Sequence, residues 1–181
     1  MRKALYILGI LNDGDCNWLA TSGAARQVKA GTILIQQGVP VDSVFILIDG
    51  QLLVFSGSVD IAKLSSGEVV GEISFVDSRP PSASVKAAVD SQVLAINKDA
   101  LHAKLEKDPG FASRFYLALA TFLADRLRVT TARLSGGQKG TEAEEDLDEL
   151  EGNMLENLGL ASARFDMMVK RLASKSSGKQ P

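Results

Sequence analysis

Between Arg26 and Ile96 the sequence is a series of short apolar and β-branched runs punctuated by glycine. The runs are Gln27-Val28, Thr32-Ile33-Leu34-Ile35, Val44 to Ile48, Leu52-Leu53-Val54-Phe55, Val59 to Leu64, Ser84 to Ala87 and Gln92 to Ile96. Turns fall between them at Gln37-Gly38, Asp49-Gly50, Ser56-Gly57 and Ser66-Gly67. Such evenly spaced runs fit an antiparallel jelly roll, and the glycines mark where the chain must turn. Among the glycines, only Gly71 reads as a ligand contact.

Helical patterns flank this region. Residues 4 to 21 carry apolar faces at Leu5, Leu8, Leu11, Trp18 and Leu19, interrupted at Asn12-Asp13-Gly14-Asp15, where Asp13 or Asp15 is a candidate N-cap. The run Ala4 to Leu11 is too short to span a bilayer and lacks a cleavage pattern, so it reads as packed core. After the last run, Lys98-Asp99-Ala100-Leu101 opens a short helix ending near Asp108-Pro109-Gly110. A longer helix follows from Phe111 to Leu134. Its stripe of Phe115, Leu119, Phe122, Leu123, Arg126 and Val129 or Thr130 would cover either the chain's own barrel or a second copy.

The remainder divides by composition. Ser135-Gly136-Gly137-Gln138-Lys139-Gly140 reads as a flexible linker and Thr141 to Glu151 as an acidic run. Two amphipathic segments then hinge near Gly159, one with Leu147, Leu150, Met154 and Leu158, the other with Phe165, Met168, Val169 and Leu172. The expected organisation is therefore N-terminal helices (1–24), a β-roll with its long helix (25–135), an acidic linker (136–152), an amphipathic helical tail (153–173) and a disordered end (174–181).

Chemistry concentrates in residues 71 to 87, where a glycine, an acid, an arginine and small hydroxyl residues lie between two apolar strands. Gly71 lets the backbone approach a ligand, and a helical turn starting at Glu72, with Ile73 and Ser74, would aim N–H groups at a phosphate. Glu72 could accept a ribose hydroxyl. Arg79, followed by Pro80, Pro81, Ser82, Ala83 and Ser84, supplies a guanidinium fork, with Ser82 or Ser84 as a further donor.

This stretch is similar to the phosphate-binding cassette of the cyclic nucleotide-binding domain family, which includes catabolite activator proteins and regulatory subunits of cyclic-AMP-dependent kinase. Ala30-Gly31, Ile35-Gln36-Gln37-Gly38, Val44 to Gly50 and Ile61 to Gly67 resemble the family's glycine framework in order and spacing, over about residues 25 to 135. The resemblance implies a mainly β fold with helices: an antiparallel jelly roll with N-terminal helices, a long C-terminal dimerisation helix and, here, a helical tail. One position departs from the pattern. The arginine expected to hold the cyclic phosphate falls on Pro81, which donates nothing, and the nearest arginine is Arg79.

Two function classes follow. The first is a second-messenger sensor or adaptor that binds cyclic AMP, cyclic GMP or a cyclic dinucleotide such as cyclic di-GMP and signals to a partner regulatory protein. The Arg-Pro-Pro-Ser loop, with Arg79 stacking on a guanine and Arg126 or Arg133 meeting a second phosphate, favours the dinucleotide. The second is a ligand-free structural or interaction module with a degenerate pocket. A homodimer through the long helix is expected in either case.

Other classes lack their parts. His102 is the only histidine and Cys16 the only cysteine, so no zinc site, His-based triad or internal disulfide can be assembled. The single thiol fits a reducing cytoplasm. With no nucleophile-base pairing or paired catalytic carboxylates, neither enzyme activity nor a cofactor is expected. Residues 141 to 181 carry nine acids against five bases and no helix-turn-helix, which argues against direct DNA binding.

Overall fold

The computed structural model describes residues 5–134 and 159–172. It contains two four-stranded antiparallel sheets. Strands β1 (Ala24–Val28), β8 (Ser91–Asn97), β3 (Ser43–Asp49) and β6 (Val69–Val70) form one, in that order. Strands β2 (Ile33–Ile35), β7 (Ser84–Ala87), β4 (Gln51–Ser56) and β5 (Val59–Ser65) form the other. The turn glycines Gly38, Gly50, Gly57 and Gly67 all adopt positive φ, as the jelly-roll reading requires. The sequence runs anticipated these strands except β6, a two-residue element.

The alternation of side chains along β3 and β8 builds two cores from one sheet. Phe45 and Leu47 of β3, with Val93 and Ala95 of β8, face the opposing sheet and pack with Val28, Ile35, Leu52, Leu64, Val70, Val85 and Ala87. Val44, Ile46, Ile48, Leu94 and Ile96 face the other way and need a second cover. That need explains why both strands are almost continuously apolar.

Helices provide the cover. These are α1 (Leu5–Ile10), α2 (Asp13–Ser22), α4 (Lys98–Lys107), α5 (Pro109–Leu134) and a final helix, α6, over residues 159–172, while the short α3 (Ile73–Val76) lies within the cassette. Along α5, Phe111, Phe115, Ala118, Leu119 and Phe122 recur at helical spacing and are all buried in this core. Each phenylalanine contributes roughly 1.5–3 kcal/mol through burial. The stripe of Phe115, Leu119 and Phe122 therefore packs on the chain's own domain and not on a second copy. The outward face of α5 instead exposes Tyr116, Leu117 and Leu127.

The N-terminal cap also differs from expectation. Asn12, not Asp13 or Asp15, caps α2: its Oδ1 accepts from Asp15 N–H at 2.8 Å, while Asp15 Oδ2 accepts from Asn12 N–H at 2.9 Å. Asparagine caps as well as aspartate, and the carboxylate three residues later completes a reciprocal box.

Helix α6 lies against the helical core, burying Ala161, Phe165, Met168 and Leu172. Arg164 fixes it there. Its Nε donates to Asp13 at 2.7 Å and its terminal nitrogen donates to the carbonyls of Leu8 and Gly9 at 3.0 and 3.2 Å, at the C-terminal end of α1. Of the expected tail, only this second segment is described; the linker (136–152), the segment around Leu147 to Leu158 and the end (174–181) lie outside the described residues.

Candidate functional site

The cassette joins β6 to β7. Gly71 has φ +87°, and a Cβ there would stand 2.9 Å from the Ser43 carbonyl oxygen of β3, so the position demands glycine on both counts. This close approach turns the chain into α3 and places Glu72 inward, with a side chain only 3% exposed.

Glu72 is already partnered. Its Oε1 accepts from the guanidinium of Arg126, which reaches in from α5 and lies over the Phe122 ring at 5.1 Å. Burial pushes the Glu72 carboxyl above its ordinary range, although Arg126 pulls the other way. Glu72 also lines an apolar cavity with Val44, Phe75, Phe115 and Leu119 of about 20 Å³, room for a single water.

Around it, Ile73 is exposed and Ser74 is buried, its hydroxyl donating to the Gly71 carbonyl at 3.2 Å and accepting from Lys98 at 2.9 Å. Lys98 thus ties α3 to the start of α4, a role with no local signature because the two residues lie 24 positions apart. Phe75 stacks on His102 at 4.4 Å and meets Phe115 edge-on at 6.0 Å. His102 is exposed on α4.

The loop carries its arginine outward. The Arg79 side chain is 82% exposed and pairs with Asp77, whose Oδ2 lies 3.3 Å from Arg79 Nε and whose Oδ1 accepts from Arg79 N–H at 3.0 Å. Ser78 before it has φ +58°. Pro80 and Ser82 are exposed, and Pro81 and Ala83 are half-buried. The Pro81 carbonyl accepts from Gly38 N–H at 2.9 Å, and the buried Ser84 hydroxyl accepts from Gln37 N–H at 3.0 Å. Both contacts pin the loop to the turn after β2.

The structure therefore brings together Gly71, Glu72, Ser74 and Arg126, and leaves Arg79 exposed and paired with Asp77. Arg133 lies on α5, but its side chain falls outside the described residues.

Comparison with known proteins bears on the fold. Residues 25–108 match the family defined as the cyclic nucleotide-binding domain, and that part of the chain belongs to it. A relative described as an uncharacterized NTE family protein, Rv2565 of Mycobacterium tuberculosis, is 29% identical over 128 residues, covering 70% of this chain and 22% of its own length. The chain thus spans about a fifth of that relative. Among solved structures, a cyclic nucleotide-binding domain from Methylobacillus flagellatus superposes with a TM-score of 0.67 at 21% identity, covering 76% of this chain and 84% of its own. The c-di-GMP responsive global regulator CLP of Xanthomonas campestris has a TM-score of 0.61 at 19% identity, covering 68% and 63%. At these identities the superpositions establish the fold alone. No described helix is long and apolar enough to cross a membrane.

Proposed function

We propose that this chain is a non-enzymatic second-messenger sensor, with no cofactor of its own, whose cassette binds a cyclic nucleotide and whose helices pass occupancy to a partner protein. The observation that carries this reading is Glu72: a buried carboxylate placed by Gly71 at the head of the cassette, in contact with the long helix α5. A ligand hydroxyl accepted at Glu72 Oε1 competes with Arg126, so occupancy acts on α5 directly.

Within the class we favour a cyclic dinucleotide such as cyclic di-GMP over cyclic AMP or cyclic GMP. Arg79 stands exposed on the cassette loop, where it suits an anion or guanine extending beyond a mononucleotide. Gly71, Glu72, Ile73, Ser74 and the Arg79 to Ser84 loop form the proposed contact set. Titration calorimetry with cyclic AMP, cyclic GMP, cyclic di-GMP and cyclic di-AMP tests it: saturable binding of at least one is expected, and no heat from any would overturn it.

A second reading, a ligand-free interaction module, is favoured by the same ion pair seen differently. With Arg126 filling Glu72 and Pro81 in place of a loop cation, the pocket is satisfied without a ligand.

A homodimer through α5 is part of the proposal, now resting on the exposed face of Tyr116, Leu117 and Leu127. Light scattering at micromolar concentration should give twice the chain mass, and a monomer would remove the dimer. Direct DNA binding is not proposed.

A further inference from the structure

We infer that Arg126 is the ligand's charge-compensating contact, so that the anion-binding cation of this pocket comes from α5 and not from the cassette loop. This rests on the proposed cyclic nucleotide reading and assigns the residue on which it turns.

Three observations converge. First, the loop offers no inward cation: Pro81 occupies the arginine position, its carbonyl is held by Gly38, and Arg79 is turned out onto Asp77. Second, Lys98 beside α3 is engaged, because its ammonium donates to the Ser74 hydroxyl at 2.9 Å. Third, the Arg126 guanidinium already lies inside, 26% exposed, over Phe122 and in contact with Glu72.

Charge balance then fixes the exchange. Glu72 Oε1 accepts from Arg126, so a ligand hydroxyl that approaches this oxygen competes with the guanidinium. Arg126 is able to yield, since it reaches in on a long side chain from α5 and holds Glu72 through one nitrogen. Once released, a guanidinium beside an aromatic face lacks an anion, and a phosphate entering beside Glu72 lacks a cation. The two compensate each other at a single hydrogen-bond step. Binding through the loop alone would leave α5 untouched. Binding through Arg126 ties ligand charge to helix position in every binding event.

The test is calorimetry with cyclic GMP and with cyclic di-GMP on four proteins: wild type, Arg126→Gln, Pro81→Arg and the double variant Pro81→Arg/Arg126→Gln. Circular dichroism confirms that each is folded. Arg126→Gln should weaken binding about ten- to a hundredfold, the loss of one charge-assisted contact. Pro81→Arg restores a loop cation, so the double variant should regain affinity to within about threefold of Pro81→Arg alone. Arg126→Gln binding as tightly as wild type, or tighter, would show Arg126 to be only a plug on Glu72 and overturn the inference. Failure of the double variant to regain affinity would overturn it too, by showing that Arg126 acts on pocket shape and not charge. If Pro81→Arg binds while wild type does not, the inference falls and the nucleotide reading of the pocket stands. Binding by none of the four removes both.

Discussion

Two buried acid–arginine pairs fasten α5 to the rest of the molecule, and they are built differently. At the helix's N-terminal end, Arg114 grips Asp15 of α2 with Nε at 2.6 Å and a terminal nitrogen at 3.0 Å, while Asp15 also accepts the Asn12 N–H of its own capping box. Twelve residues further on, Arg126 meets Glu72 through one nitrogen. Both carboxylates are nearly sealed, their side chains 5% and 3% exposed. Their acidities nevertheless move in opposite directions. Burial raises Asp15, but the two-pronged arginine and the Asn12 N–H outweigh it and leave the carboxyl below its ordinary value of 3.8. For Glu72, burial wins over Arg126 and holds the carboxyl above its ordinary 4.5. A bidentate grip with a capping bond makes a permanent joint, whereas a single contact on a carboxylate that resists ionisation makes one that a competitor can open.

The sharpest break of this comparison is Arg114→Ala. It leaves Asp15 buried with only its capping bond, and removing one partner of such a pair costs roughly 3–5 kcal/mol. Urea denaturation should show the midpoint falling with little change in slope. A loss below about 1 kcal/mol would make the two joints equivalent, because exposed pairs are worth no more than that.

The next effect isolates the cap from the arginine. Asn12→Ala removes the side-chain half of the box while leaving Arg114 on Asp15, and should cost about 1 kcal/mol, within the usual 0.5–2 kcal/mol for a lost N-cap. A thermal melt reads it. No change would mean that the arginine alone holds the start of α2.

The barrel was legible in the sequence because its signal is local: β-branched runs and turn glycines lie within a few residues of one another, and the two-sided burial of β3 and β8 follows from their unbroken apolar character. The α2 cap was legible too, since Asn12 and Asp15 carry the box spacing, but attention to the acids alone misses that asparagine leads it. Distant pairings were not. Arg126 invites reading as part of an exposed arginine cluster, and nothing near residue 126 reports that its partner lies 54 positions earlier. The Phe115, Leu119 and Phe122 stripe has a helical period whichever surface it meets, so period alone does not say whether the surface is self or another copy. The place of Arg79 in the cassette was legible, but its direction depends on Asp77 two residues before it and on the backbone turn at Ser78.

The smallest expected effect is also the most discriminating. Glu72→Gln keeps the shape of the side chain and removes its charge, leaving Arg126 to carry its own; because that guanidinium is 26% exposed, it can turn its tip toward water along the helix. The ligand-free protein should lose under about 1 kcal/mol at neutral pH, far less than Arg114→Ala, since burial already disfavours the Glu72 carboxylate. The pH profile gives the sign. A carboxyl whose folded pKa lies above its unfolded value favours folding most at low pH, and that advantage is lost as pH rises from about 4.5 through the folded value. Asp15 does the reverse, its stabilisation complete above 3.8 and lost as pH falls through its lower folded value. Urea midpoints measured across pH 3 to 8 should therefore show wild type declining above about pH 4.5 relative to Glu72→Gln, while both fall together on the acid side where Asp15 titrates. Parallel profiles above pH 4.5 would mean that Glu72 is as fully ionised as Asp15, and Arg126 would then be a second permanent joint instead of the one a ligand opens.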